Sequence, residues 1–319
     1  MNILIIDKVH HVLPQLLSEN GHDVLIDLAK GYSYYLDKIS GFDGIIIRSG
    51  IQIDKAFIDK ASKLKFIARV GAGMENIEVD YAQQKGIKCI NSPEGNRTAV
   101  GEQALAMLLS LFNNLKRADT EVRKGIWNRE ANRGVELEGM TVGIVGYGNM
   151  GSAFAKRLVG FGVEVVAYDK YKTGYSDRYV QEASMEYLFA QCDVVSLHLP
   201  LNKETKYLVD SDWLGKFEKQ IYLINTARGP IVRTQDLVKA IDESKVLGAC
   251  LDVLEYEELG FENIDIDKFP KAFHYLRNSN KVILSPHIAG WTQQSNYKLS
   301  KVIADKILSF NNGKNRNIK

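Results

Sequence analysis

Short apolar runs recur along this chain, separated by stretches whose apolar positions fall at helical spacing. In the first third, the runs at 3–6, 24–28, 44–47, 66–70 and 87–90 read as buried strands. Residues 12–20, 53–60 and 79–85 read as the helices between them. Strands apolar on both faces and alternating with helices predict a parallel sheet covered on both sides. Residues 91–96 are rich in turn formers and predict a linker and hinge. Residues 98–115 are apolar around much of a helical circumference and predict a helix buried nearly all round. A polar arm with Trp127 spans 116–138; it either packs on its own domain or meets another subunit, and both readings stay open. Strand–helix alternation then resumes. Runs at 141–145, 163–168, 193–197, 221–224, 246–251 and 282–284 predict six parallel strands, a complete doubly wound sheet. An amphipathic helix is expected at 291–310, followed by a frayed polar tail from Asn311. The fold class is thus α/β, with two doubly wound parallel-sheet domains.

Composition narrows the partners. With 319 residues, 45% hydrophobic and 25% charged, the chain reads as an ordinary globular protein of two domains. A net charge of +2 gives no pull toward nucleic acid or anionic membrane. Cys89, Cys192 and Cys250 lie far apart in apolar runs and are expected as reduced, buried thiols, with no disulfide frame and no metal site. No signal peptide is evident at the start, and no run approaches the ~18 apolar residues of a membrane span, so a cytoplasmic protein is expected.

The most informative segment is Gly146-Tyr147-Gly148-Asn149-Met150-Gly151. It follows an apolar run, opens a helix-like stretch, and is succeeded by a second apolar run ending at Asp169, the full context of a dinucleotide-binding fingerprint. Gly146 allows the turn, Gly148 lets a pyrophosphate approach the backbone, and Gly151 lets the helix pack on the sheet. The phosphates would meet the N–H groups at the helix start near Asn149 and Met150. Asp169 would accept hydrogen bonds from the adenosine ribose and repel a 2′-phosphate, which favours NAD over NADP. Lys170 and Lys172 pull the other way, since they could offer charge to a phosphate.

Ligands on such sheets bind beyond the carboxyl ends of strands. Three later strand ends carry a guanidinium (Arg228), an acid with an acidic loop (Asp252, then Glu255 to Glu258) and an imidazole (His287). Hydride transfer to a 2-oxo acid needs a cation for the carboxylate and carbonyl, a proton donor for the alkoxide, and an anion that favours imidazolium. Singly, each residue is more often a surface charge, a structural histidine or a solvated loop; jointly, on one dinucleotide-binding sheet, they point to chemistry. In the first domain, Arg48 and Arg69 at strand ends either meet a substrate phosphate or are ordinary surface charges.

The series Arg69-Val70-Gly71-Ala72-Gly73-Met74-Glu75-Asn76-Ile77, the Gly146 fingerprint with Asp169, His198-Leu199-Pro200, Asn225-Thr226-Ala227-Arg228-Gly229, Leu251-Asp252-Val253 and Pro286-His287-Ile288-Ala289-Gly290 resembles the D-isomer-specific 2-hydroxyacid dehydrogenase family over essentially the whole chain. Its similarity is closest to the phosphoglycerate dehydrogenase branch, through the Arg69 segment and residues 91–102. The resemblance implies a Rossmann NAD-binding domain (97–290) inserted into a flavodoxin-like substrate domain (1–96 plus 291–319), with a cleft that closes to exclude water. It implies Arg228, Glu257 and His287 as catalytic residues. Glu257 is selected because it stands five residues after Asp252; the family usually has Pro next, where this chain has Glu258, and 259–281 is longer than usual. Asp252 is similar to the residue that holds the nicotinamide carboxamide. Leu199, Thr226, Ala227, Arg228, His287 and Gly290 join the fingerprint in the cofactor site. Ala72 and Gly73 are similar to the loop that meets the substrate carboxylate. The implied activity is an NAD-dependent dehydrogenase of a small D-2-hydroxy acid, 3-phosphoglycerate among them, in a homodimer joined through the nucleotide domain and tied to serine biosynthesis. Serine feedback through a regulatory domain is not expected, because the chain stops at Lys319. Glyoxylate or hydroxypyruvate reduction is the near alternative, and an NAD(H)-sensing, corepressor-like interaction protein the distant one.

Overall fold

A computed structural model describes residues 1–28, 30–257 and 269–311. The chain divides into two compact units, Met1–Asn96 with Trp291–Lys319, and Arg97–Gly290.

In the first unit β1 (Asn2–Ile5), α1 (Val12–Glu19), β2 (Asp23–Ile26), α2 (Tyr32–Lys38), β3 (Gly44–Ile47), α3 (Lys55–Lys60), β4 (Phe66–Arg69), α4 (Val79–Gln84) and β5 (Lys88–Ile90) alternate along the chain. The strands form a parallel sheet in the order β2-β1-β3-β4-β5, the flavodoxin type, with its switch point between β1 and β3. Ile45, Ile46 and Ile47 of β3 are wholly buried because both faces are covered. One face packs on Tyr35, Phe57 and Ile58. The other packs on Leu13 and Leu17 of α1 and on Leu299, Ile303 and Ile307 of α12 (Gln293–Asn311).

Local chemistry moves several predicted boundaries. α3 starts at Lys55 because the Asp54 carboxylate caps it, accepting from the Phe57 N–H at 2.9 Å, and Ile53 instead bridges to Ile77. α2 had no predicted counterpart; its anchor is Tyr35, whose hydroxyl donates to the Asp27 carbonyl at 2.7 Å. α12 starts at Gln293, with the Thr292 N–H bonded to Ser295 Oγ and the Ser295 N–H to Thr292 Oγ1, so Trp291 stands outside the helix. The frayed tail expected after Asn311 lies outside the described residues.

The turn-rich linker predicted at 91–96 is corrected. α5 runs Pro93–Phe112, so most of that segment is its first turn, where proline's missing N–H has no cost. Only Arg97, Glu102 and Ala106 of this helix are exposed. It stops before Asn114, which is left-handed with φ 50°, and the polar arm that follows opens with α6 (Leu115–Arg123).

In the second unit follow β6 (Thr141–Val145), α7 (Asn149–Arg157), β7 (Glu164–Tyr168), β8 (Gln181–Glu182), α8 (Met185–Gln191), β9 (Val194–Leu197), α9 (Ser211–Gly215), β10 (Ile221–Asn225), α10 (Thr234–Asp242), β11 (Val246–Leu251), α11 (Lys271–Asn278) and β12 (Val282–Leu284). The sheet is parallel throughout, in the order β12-β11-β10-β9-β6-β7-β8. It has seven strands where six were predicted. The extra one, β8, is two polar residues paired to the edge of β7, so no apolar run announces it. Strand order reverses between β6 and β9, which puts the switch point at the end of β6.

Cys192 and Cys250 are buried, whereas Cys89 is half-buried; none is disulfide-bonded. Burial pushes the Cys192 thiol up to about 12 and Cys250 higher still, which keeps both as inert thiols. Among the described residues no helix is long and apolar enough to cross a membrane, and no group of three His, Cys, Asp or Glu could hold a metal ion.

Candidate functional site

At the end of β6 the chain turns through Gly146, whose φ of +94° favours glycine. A Cβ there would stand 2.5 Å from the His198 carbonyl oxygen and 3.0 Å from Leu199 Cδ2. A Cβ on Gly151 would collide with the Gly146 carbonyl, so α7 can lie this close to the loop only with glycine in its first turn. At Gly148 an added Cβ meets nothing within 4 Å. Beside that open space α7 begins at Asn149 and Met150 with no side-chain cap, so its first N–H groups and positive end are presented at the switch point. This is a cradle for an anion such as a pyrophosphate.

Asp169 follows β7, next to the loop. Its Oδ2 accepts from the Tyr147 N–H at 2.9 Å, and its Oδ1 from the N–H groups of Tyr171 and Lys172 at 3.0 and 3.1 Å. A carboxylate offers about four acceptor sites, so roughly one is left for an outside hydroxyl.

The other chemistry-bearing residues gather through strand register. Asn225 of β10 pairs with Leu251 of β11, which pairs with Leu284 of β12. Arg228, Glu257 and His287 all follow these adjacent ends, at one edge of one sheet. Asn225 shapes the first turn: its Oδ1 accepts from the Ala227 N–H at 3.0 Å and its Nδ2 donates to the Arg228 carbonyl at 3.0 Å. Arg228 Nη1 donates to the Ala227 carbonyl at 2.5 Å. Thr226 is buried, and its hydroxyl has no partner among the described residues, as a group awaiting a ligand would show.

Asp252 is wholly buried. Its Oδ1 accepts from Ser285 Oγ at 2.6 Å and the Ile288 N–H at 2.9 Å, its Oδ2 from the Ala289 N–H at 2.8 Å. Its main-chain carbonyl accepts from the His287 N–H at 2.7 Å. One residue thus clamps the turn that carries the imidazole and leads to Gly290. His287 itself is left-handed, with φ 55°. Its Nδ1 lies 2.9 Å from Glu257 Oε2, with side-chain exposures of 29% and 17%. Glu257 Oε1 accepts from the Leu254 N–H at 2.8 Å, which fixes the carboxylate. Glu255 is engaged elsewhere: its Oε2 accepts from the Thr234 N–H at 2.9 Å at the start of α10. Glu258 lies outside the described residues. A nucleotide cradle, an arginine turn and a carboxylate-held imidazole on one sheet edge are what hydride transfer to a carbonyl requires.

Residues 105–289 match the model of the D-isomer specific 2-hydroxyacid dehydrogenase NAD binding domain, more than half of the chain. The chain belongs to the D-isomer-specific 2-hydroxyacid dehydrogenase family. It is 32% identical over 313 residues to D-3-phosphoglycerate dehydrogenase of Bacillus subtilis, covering 98% of this chain and 57% of that protein. The chain therefore spans little more than half the length of that relative. To hydroxypyruvate reductase of Thermotoga maritima it is 32% identical over 265 residues, 83% of each chain. Among solved structures, D-lactate dehydrogenase from Aquifex aeolicus complexed with NAD and lactic acid superposes with a TM-score of 0.83, at 27% identity over 98% of this chain and 96% of that one.

In this family member the first unit brings its own residues to the ends of β3 and β4. The Arg48 N–H donates to Asp7 Oδ2 at 2.5 Å, and its guanidinium lies 4.5 Å from the centre of the Trp291 ring. Burial pulls Arg48 below its ordinary value, and the charge of Asp7 opposes that. Arg69 Nε donates to the Arg48 carbonyl at 3.0 Å and its Nη1 to the Gly73 carbonyl at 2.8 Å. Asn91 Nδ2 donates to the Ala72 carbonyl at 2.6 Å. Asn76 Nδ2 reaches the carbonyls of Arg48 and Ile51 at 3.2 and 3.0 Å. Sequence reading did not single out Asn225, Ser285 or Trp291. Asn225 opens the Asn225–Gly229 motif and Ser285 immediately precedes Pro286, beside the residues they orient; Trp291 signalled only the start of the expected last helix.

Proposed function

We propose that this chain is an NAD-dependent oxidoreductase that moves a hydride between nicotinamide and a small D-2-hydroxy or 2-oxo acid. The carrying observation is the His287–Glu257 pair, held by Asp252 on the sheet edge that also bears the Arg228 turn. The bound dinucleotide supplies the hydride. Arg228 holds the carboxylate and polarises the carbonyl of the acid. With Nδ1 engaged by Glu257, proton transfer to and from the substrate oxygen falls to His287 Nε2. Glu257 stabilises the imidazolium and fixes the ring. The glycine loop, Asp169, Leu199, Thr226, Ala227 and Gly290 hold the cofactor. Asp169 favours NAD over NADP. Asp252, already accepting from three donors, acts on the nicotinamide end through the turn it clamps.

On the first unit, Arg48, Arg69 and the Ala72–Gly73 turn suit an anionic substrate group, and 3-phosphoglycerate fits a second anion. Hydroxypyruvate or glyoxylate is the second reading, supported by the 32% identity to the Thermotoga maritima reductase. Steady-state rates on a panel of 2-oxo acids with NADH and NADPH test both. Equal turnover of phosphorylated and unphosphorylated substrates removes the phosphate reading, and no turnover with any overturns the enzyme.

A homodimer through the second unit is part of this reading. No residue of α6 is buried in the chain, and Leu115, Val122, Ile126 and Val135 are exposed beside Trp127, itself 73% exposed. Light scattering that gives a monomer mass at micromolar concentration would remove it. Three thiols outside any disulfide suit the reducing cytoplasm.

A further inference from the structure

Two lysines follow Asp169, and both could offer charge to a ribose 2′-phosphate. Neither is left to do so. Lys172 Nζ donates to the Tyr147 carbonyl at 2.9 Å. Lys170 Nζ stands 2.9 Å from Glu204 Oε2, and the same oxygen accepts from the Tyr171 hydroxyl at 2.5 Å. Glu204 comes from a separate element, the loop after β9. Strand order places β7, β6 and β9 side by side, so Asp169 and Glu204 follow the strands that flank the glycine loop on either side. The loop holding Glu204 is fixed. Asn202 Oδ1 accepts from the N–H groups of Glu204 and Thr205 at 2.9 and 3.0 Å, and Thr205 Oγ1 donates to the Pro200 carbonyl at 2.6 Å.

We propose that Glu204 is a specificity-determining residue for the cofactor: it draws Lys170 and Tyr171 away from the ribose edge and sets a second carboxylate beside Asp169, so that NADH is bound in preference to NADPH. This rests on the reading that the glycine loop binds a dinucleotide. The ion pair is exposed on both sides, 55% and 52%, so its worth to folding is small; its effect falls on a charged ligand. A 2′-phosphate brings about two negative charges to a place where one lysine is neutralised and the other is turned onto a carbonyl.

The test is titration of the purified protein with NADH and with NADPH, followed by nucleotide fluorescence, for the natural chain, Glu204→Gln, and Glu204→Gln with Lys170→Ala. In Glu204→Gln the ratio of NADPH to NADH dissociation constants should fall roughly three- to tenfold at low salt, and by less at high salt. The double variant should return toward the natural ratio. An unmoved ratio in Glu204→Gln overturns the role of Glu204, and a fall that survives in full without Lys170 overturns the claim that Glu204 acts through that lysine. If the natural chain takes up neither nucleotide, the proposed function falls with it; if NADH binds and the ratio stays put, only the Glu204 assignment falls.

Discussion

Two histidines follow strand ends of the same sheet, and only one is placed for chemistry. His198 follows β9. Burial pushes it down to about 3, its Nε2 meets Ser196 Oγ at 2.8 Å, its Nδ1 has no partner among the described residues, and its ring lies 5.6 Å from that of Phe154. His287 follows β12, is part-exposed, and carries a carboxylate at 2.9 Å. A strand end is therefore not enough: solvent access and an anionic partner separate the proposed proton carrier from the packing residue.

Four substitutions sharpen or break this contrast. His287→Ala should lower reductive turnover by about 10²- to 10⁴-fold with NADH affinity largely kept, read by steady-state rates and nucleotide fluorescence. A matching loss of both would make His287 structural, like its counterpart. Asp252→Asn should come next, at roughly 10²-fold in turnover, because the turn carrying His287 loses its anionic acceptor. If NADH affinity falls by as much while turnover at saturation holds, Asp252 serves the cofactor instead of the imidazole. Glu257→Gln should lower reductive turnover by roughly tenfold, since the His287 ring loses the carboxylate that holds its Nδ1. Unchanged turnover would pass the role to Glu258, because Glu255 is tied to α10.

The smallest effect belongs to His198→Gln, with turnover little changed. The sign follows from proton counting. Between about 6.5 and about 3 the unfolded chain binds a proton at His198 that the folded chain does not. Stability from this group is full above the unfolded value and drains as pH falls, by about 2 kcal/mol at pH 5. Denaturation midpoints between pH 7 and 5 should fall less steeply in the variant. Parallel slopes would show that His198 is protonated in the folded protein.

Much of this contrast was legible beforehand. The apolar runs behind β6, β10, β11 and β12 are long enough to name strands, and the residues after them are the ones proposed for the chemistry. What resisted reading depends on contacts distant in the chain. The acidic cluster offered several partners for His287, and only the Thr234 N–H, held by Glu255, and the Leu254 N–H, held by Glu257, sort them. Pro93 read as a breaker because proline signals both a turn and a helix start, and α5 uses the second. β8 has no side-chain pattern at all, since an edge strand of two residues is defined by its neighbour. Trp291 became informative only through the guanidinium it covers.

The dihedral at His287 has a consequence for how the sequence can drift. At φ 55° glycine is at ease, while a residue with a Cβ is held in an uncommon conformation. Replacement by glycine should relax the main chain and leave thermal stability equal or higher while activity disappears. Selection for robustness alone would erode this position, so its persistence in a lineage would report a living need for catalysis.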